Sequence, residues 1–282
     1  MSKVAIVTDS TAYLPPEIIE KFQIRVVPLQ LIWGDETFRD GVDIQPSEFY
    51  DRLPTASVMP TTSQPSAAEF MTVFEELIAE GKEILAILIS SGLSGTVASA
   101  VQAQKMLPDA KIEIVDSLTG AMGLGIHVLE AAHAAAEGQS LEACKAFAEA
   151  AQKKSSIIFA VDTLEFLHRG GRVGGAKRLV GTMLNIKPIL EVQEGKVEAL
   201  DSVRTRKKAH ARLLELIQER SQGAGLRYAS AMHANAPEDA QRLLDRLGER
   251  MDVGETFLVE LSPVIGAHVG PGTVVMAYMF EE

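Results

Sequence analysis

The sequence predicts an α/β protein in two parts: an N-terminal domain with a mainly parallel sheet flanked by helices, then a C-terminal α+β domain. Three observations predict it. Through the first half, short β-rich runs alternate with longer helical patterns, the sign of βαβ units. In the second half two β-rich runs are joined at Glu194-Gly195, a hairpin signal that implies antiparallel pairing. A chain of 282 residues with 46% hydrophobic content is also long and apolar enough to bury two cores.

Strands are expected at residues 4–7, 25–33, 84–89 and 112–115. Ser66 and Glu69 form a capping box that opens an amphipathic helix running to about residue 80, where Gly81 stops it. A second helix is expected after Ser94, an alanine-rich third over residues 121–137, and a fourth over 141–153. Beyond these the pattern changes. Residues 157–161 read as a strand, 188–200 as the hairpin, and 226–232, 256–261 and 273–280 as later strands, with helices over 207–221 and 237–251. The boundary is placed so that the domains are residues 1–153 and 154–282.

Composition excludes several classes of function. The opening MSKVAIVTDS lacks the apolar stretch and cleavage site of a secretory signal, and no run approaches the roughly 20 apolar residues of a membrane span. A soluble, cytoplasmic protein is therefore expected. Cys144 is the sole cysteine, so neither an internal disulfide nor a multi-cysteine zinc site can form. No H-E-x-x-H or aspartate-rich loop indicates another metal. A net charge of −11 opposes nucleic-acid binding, although residues 168–178 (HRGGRVGGAKR) and 204–212 (RTRKKAHAR) are locally basic.

Four segments could carry chemistry. Pro60-Thr61-Thr62-Ser63-Gln64-Pro65-Ser66 gathers hydroxyls and an amide before a helix, where they can bond a carboxylate or cap the helix. Ser90-Ser91-Gly92-Leu93-Ser94-Gly95-Thr96 follows a buried-type strand, placing Ser94 at a helix N-terminus that favours anions, with Gly95 allowing close backbone approach. The same segment nearly matches the nucleophile elbow G-x-S-x-G, which leaves a serine hydrolase of Ser94 and His268, with Asp116 orienting the histidine, as a rival. Gly266-Ala267-His268-Val269-Gly270-Pro271-Gly272 sets a histidine in an expected glycine-rich loop. Leu167-His168-Arg169-Gly170-Gly171-Arg172 has the glycines and arginines of a phosphate loop without its G-x-x-x-x-G-K-[ST] spacing. Asp9-Ser10 and Asp116-Ser117 end two of the parallel strands, where α/β sheets bind ligands.

In their order along nearly the whole chain, these motifs resemble the DegV family: Asp9-Ser10-Thr11, Thr62-Ser63-Gln64-Pro65-Ser66, Ser91-Gly92-Leu93-Ser94-Gly95-Thr96, Asp116-Ser117, Leu167-His168-Arg169-Gly170-Gly171-Arg172 and the glycine-flanked His268. The resemblance implies a long-chain fatty acid bound between the two domains, with no other cofactor and no catalysis by the chain itself. It implies further that the chain is the acyl carrier for a separate ATP-dependent fatty acid kinase in phospholipid metabolism, which phosphorylates the bound carboxylate. By the same resemblance Thr62, Ser94 and His268, with the backbone at Gly95, hold the carboxylate, and Arg172 and Arg204 face the kinase or the acyl phosphate. A regulatory scaffold using the basic segments as its interaction surface is the remaining alternative.

Overall fold

The computed structural model describes residues 2–179 and 186–281. β1 (Val4–Asp9) leads through a 3-10 turn at Ser10–Ala12 into α1 (Pro16–Phe22), β2 (Arg25–Val27), β3 (Gln30–Trp33), β4 (Glu36–Arg39) and α2 (Pro46–Arg52). Next come β5 (Thr61–Ser63), α3 (Ala67–Ala79), β6 (Glu83–Leu88), α4 (Thr96–Met106), β7 (Ile112–Asp116), α5 (Ala121–Ala136) and α6 (Leu141–Lys154). The chain continues through β8 (Ser155–Ala160), α7 (Glu165–Arg169), β9 (Lys187–Gln193), β10 (Lys196–Val203) and α8 (Arg206–Ser221). It closes with β11 (Leu226–His233), α9 (Pro237–Gly248), β12 (Val253–Glu260), α10 (Pro263–Val269) and β13 (Val274–Phe280).

The described residues form three sheets. Strands β2-β1-β6-β7 form an all-parallel sheet, and the apolar β6 lies inside it, as a strand buried on both faces should. Strands β4-β3-β5 form a small antiparallel sheet, and β10-β9-β8-β13-β11-β12 form a third that is antiparallel except for the β11–β12 pair. The first two sheets are built wholly before residue 155 and the third wholly after residue 154.

Helix α5 joins them. It packs against β1 and β6 of the parallel sheet and against β8, β11 and β13 of the mixed one, and it is buried along nearly its whole length. Its sequence, AMGLGIHVLEAAHAAA, is what such a position requires: small side chains let two sheets approach one helix closely. The largest apolar cluster accordingly runs across both sheets.

Local signals account for many boundaries. Ser66 and Glu69 form both bonds of the capping box, and Gly81 follows α3 at φ +75. Glu194 and Gly195 turn the β9–β10 hairpin with φ 47 and 78, both positive as a type I′ turn demands. One expected strand is corrected. Residues 25–33 are two strands in different sheets, because Pro28 has no N–H for a ladder and Leu29 turns away, its N–H donating to Ser10 Oγ at 3.1 Å.

Candidate functional site

Thr62 sits on β5, whose pairing with β3 sets it opposite Leu31. α10 packs against β3, β5, α2 and α7, and this brings His268 onto Thr62: Oγ1 and Nε2 share a hydrogen bond at 2.7 Å. His268 thus lies within a short helix rather than in the expected glycine-rich loop, since Pro263 starts a helical turn that ends only at Gly270. Burial, and then the nearby Arg172 guanidinium, hold its imidazole down to about 4, so it is neutral at pH 7. Nδ1 is buried without a partner among the described residues. The proton is therefore assigned to Nε2, where Thr62 Oγ1 accepts it, which leaves the Thr62 hydroxyl hydrogen available to a ligand.

Ser94 reaches the same place on a braced loop. Asp116 accepts from Ser91 N at 3.2 Å and Leu118 N at 3.0 Å, and the buried Asp9 accepts from Ile89 N at 2.7 Å. Asp116 thus spends its oxygens on backbone N–H groups that shape the loop, while Asp9 reaches it through Oδ2 alone, its Oδ1 accepting from Thr11 N at 3.0 Å and Thr11 Oγ1 at 2.5 Å in the turn after β1. Within it Ser94 N donates to Ser90 O at 3.0 Å. The helix cap of α4 is Gly95 and not Ser94, as the sequence suggested; Ser94 stands one residue earlier, with Oγ 2.8 Å from Thr96 Oγ1. From across the molecule, Ser90 Oγ donates to Gly195 O at 2.9 Å, tying the loop to the β9–β10 turn.

Arg172 supplies the cation. Its Nε donates to Leu93 O at 3.0 Å and Nη1 to Gly170 O at 2.5 Å, while Nη2 has no acceptor among the described residues. Gly170 has a second role that sequence reasoning missed. A Cβ there would lie 2.1 Å from His268 Nδ1, so Gly170, in a segment whose spacing does not match a phosphate loop, leaves room for an imidazole.

Thr62, Ser94, Arg172 and His268, with Ser63 and Gln64, line one narrow cavity that is otherwise apolar, walled by Leu29, Ile89, Phe159, Leu261, Val264 and Val275 among others. Gly95 and Arg204 do not line it; Arg204 is exposed and has no described partner. A few polar groups in an apolar cavity suit a ligand with one polar end. The geometry does not form a hydrolase triad: Ser94 bonds Thr96, His268 bonds Thr62, and Asp116 is committed to backbone N–H groups. Among the described residues no cluster of His, Cys, Asp or Glu could hold a metal ion, and no helix is long and apolar enough to cross a membrane.

Comparison with known proteins agrees with this architecture. Residues 3–281 match the family described as "Uncharacterised protein, DegV family". A DegV domain-containing protein of Clostridium perfringens is 40% identical over 282 residues, 99% of each chain, and Protein DegV of Bacillus subtilis is 35% identical over 280 residues, again 99% of each. Among solved structures, a DegV family protein from Thermus thermophilus described by its fatty acid binding has a TM-score of 0.92 and 37% identity, covering 99% of this chain and 100% of that one. The B. subtilis DegV structure, described as a fatty acid binding protein, has a TM-score of 0.90 at 33% identity with both chains fully covered. Matched over nearly its whole length in sequence and in fold, this chain belongs to the DegV family.

Proposed function

We propose that this protein binds a long-chain fatty acid with the tail in the apolar cavity and the carboxylate at Thr62, Ser94 and His268. The observation that carries this reading is the hydrogen-bonded Thr62–His268 pair, which lines an otherwise apolar cavity together with Ser94 and Arg172. The fatty acid binding ascribed to the T. thermophilus and B. subtilis relatives supports it. The two domains are residues 1–153 and 154–282, and the acid lies between them; the division of the sheets at residues 154 and 155 supports that boundary.

A carboxylate leaving water needs hydrogen bonds to offset its desolvation. The Thr62 and Ser94 hydroxyls supply them, with the Arg172 guanidinium adding charge. Each charged hydrogen bond contributes about 1.5 to 3 kcal/mol. The tail counts for more: at about 0.8 kcal/mol per CH₂, a chain of around 16 carbons has a gross term on the order of 11 kcal/mol before association costs.

The chain itself performs no chemistry on the acid. It presents the carboxylate to a separate ATP-dependent kinase, whose γ-phosphoryl group is attacked by a carboxylate oxygen to give acyl phosphate and ADP. Arg172 and the exposed Arg204 offer positive charge to the kinase surface or to the acyl phosphate. A cytoplasmic role in phospholipid metabolism follows from that reaction.

Native mass spectrometry of the purified protein tests the ligand. A co-purifying fatty acid, or saturable binding of added palmitate or oleate, is expected. Neither being found would falsify the reading. Incubation with a DegV-partner kinase, ATP and Mg²⁺ then tests presentation, with acyl phosphate expected only when both proteins are present.

A further inference from the structure

The helix that carries His268 is anchored by a buried carboxylate from the first half of the chain. Asp40, only 2% exposed, follows β4. Its Oδ2 accepts from Ser10 Oγ at 2.7 Å and Ser262 Oγ at 2.8 Å, and its Oδ1 from Val264 N at 3.3 Å. Ser262 is the N-cap of α10 but its own side chain caps no N–H, so Asp40 satisfies that helix end from outside. The other side of the anchor is the turn at Leu29: Asp40 N donates to Leu29 O at 2.8 Å, and Ser10 Oγ accepts from Leu29 N at 3.1 Å. Tyr13 completes the node, its Oη accepting from Ser262 N at 3.0 Å and lying 2.7 Å from Ser262 Oγ.

Leu29 and the α10 residues Val264, Ile265, His268 and Val269 all line the acid cavity, so Asp40 joins two of its walls. We propose that Asp40 is a positioning residue for acid capture: in its ionised form it draws the N-terminal end of α10 onto the Leu29 turn and so sets His268 against Thr62. The proposal rests on the reading of Thr62, Ser94 and His268 as the acid grip.

No cation pairs with this anion among the described residues. The groups that face it are Ser10, Ser262, Tyr13 and Tyr50, with Asp9 at the end of β1 and Glu260 beside Tyr50. Burial, opposed by the bonds from Ser10, Ser262 and Val264, pushes its carboxyl up to about 6, and Asp9 adds to the rise. The native state thus holds this proton more tightly than the unfolded chain does. Asp40 therefore makes the fold less stable as pH rises from about 4 to 6, while the grip on α10 strengthens over the upper part of that window. A residue that only supported the fold would move both quantities together.

The test compares oleate binding by the full-length wild type and Asp40→Asn between pH 7.5 and 5.0. Oleate's own titration is common to both proteins and cancels in the ratio of their affinities. The wild type is expected to bind about tenfold more tightly at pH 7.5, as loss of a charge-assisted bond implies, with the ratio falling to about two at pH 5.0. Asp40→Asn should melt no lower than the wild type at pH 7.5, since it relieves a buried charge. A ratio near one at pH 7.5, a ratio unchanged across the range, or tighter binding by the variant overturns the proposal. Should Asp40→Asn not fold, Ser262→Ala is expected to weaken binding about threefold and Ser262→Thr to restore it; equal affinity of Ser262→Ala and wild type overturns it equally. Wild type that fails to bind oleate at pH 7.5 removes the acid-grip reading itself, a distinct result.

Discussion

Thr62 and His268 depend on one another for burial. The imidazole is held neutral by burial, its Nε2 has one partner, and that partner is the hydroxyl proposed to meet the ligand. Thr62→Val keeps the shape and removes the hydroxyl, leaving Nε2 buried and unsatisfied. Urea denaturation is expected to show a loss of about 1 to 3 kcal/mol. Oleate should still bind through its tail, but its advantage over methyl oleate, which lacks the charge, should shrink. The pH dependence follows from the depressed imidazole. His268 is neutral in the fold down to about 4 whereas an unfolded histidine protonates near 6.5, so its contribution is intact above that value and lost as pH falls toward 4. The stability difference between wild type and His268→Asn should therefore fall by about 3 kcal/mol between pH 7 and pH 4. These residue types were legible as candidates. Their convergence was implied only through the family resemblance and their direct bond not at all, because a bond across 206 residues leaves no trace in local spacing.

At the scale of elements, the loop between β6 and α4 is held from three sides, by Asp9, by Asp116 and by the β9–β10 turn. Gly195 sits at φ +78, and a Cβ there would lie 2.4 Å from Ser90 Oγ, so Gly195→Ala adds a clash to the backbone strain. Gly138, at φ +81 with nothing within 4 Å, isolates the strain alone. Gly195→Ala is expected to cost about 1 to 3 kcal/mol, more than Gly138→Ala, and to reduce hydrogen-exchange protection at Ser94 N; equal effects of the two would remove the hairpin's role in holding the loop. The turn itself was readable from Glu194-Gly195, since positive φ is a property of those residues. Its docking on Ser90 was not. Likewise the sequence suggested a loop around His268 because Gly266, Gly270 and Gly272 are frequent there, while the structure finds a helix whose Gly266 lies against Tyr50 and Phe49 of α2.

For the whole molecule, a ligand that binds only the folded state stabilises it by RT ln(1 + [L]/Kd). Oleate at a hundredfold excess over Kd should therefore raise unfolding free energy by about 2.7 kcal/mol, read as a melting shift that grows with ligand concentration; a melting point independent of oleate would count against a buried acyl chain. The cavity that would hold that chain takes residues from both halves of the sequence, and helix α5 packs between the two main sheets. What the chain determined by itself was the set of local elements: alternating strands and helices, the Ser66–Glu69 cap, the alanine-rich helix and the hairpin turn. Each of those depends on side-chain periodicity and backbone preference over a few neighbours, which a sequence displays directly. Only the tertiary structure decided that residues 25–33 divide between two sheets, that Gly170 makes room for His268, and that Asp40 anchors α10. Those outcomes are contacts between segments far apart in the chain, chosen by packing and by the need of buried polar groups for partners, and both come into being only when the core closes.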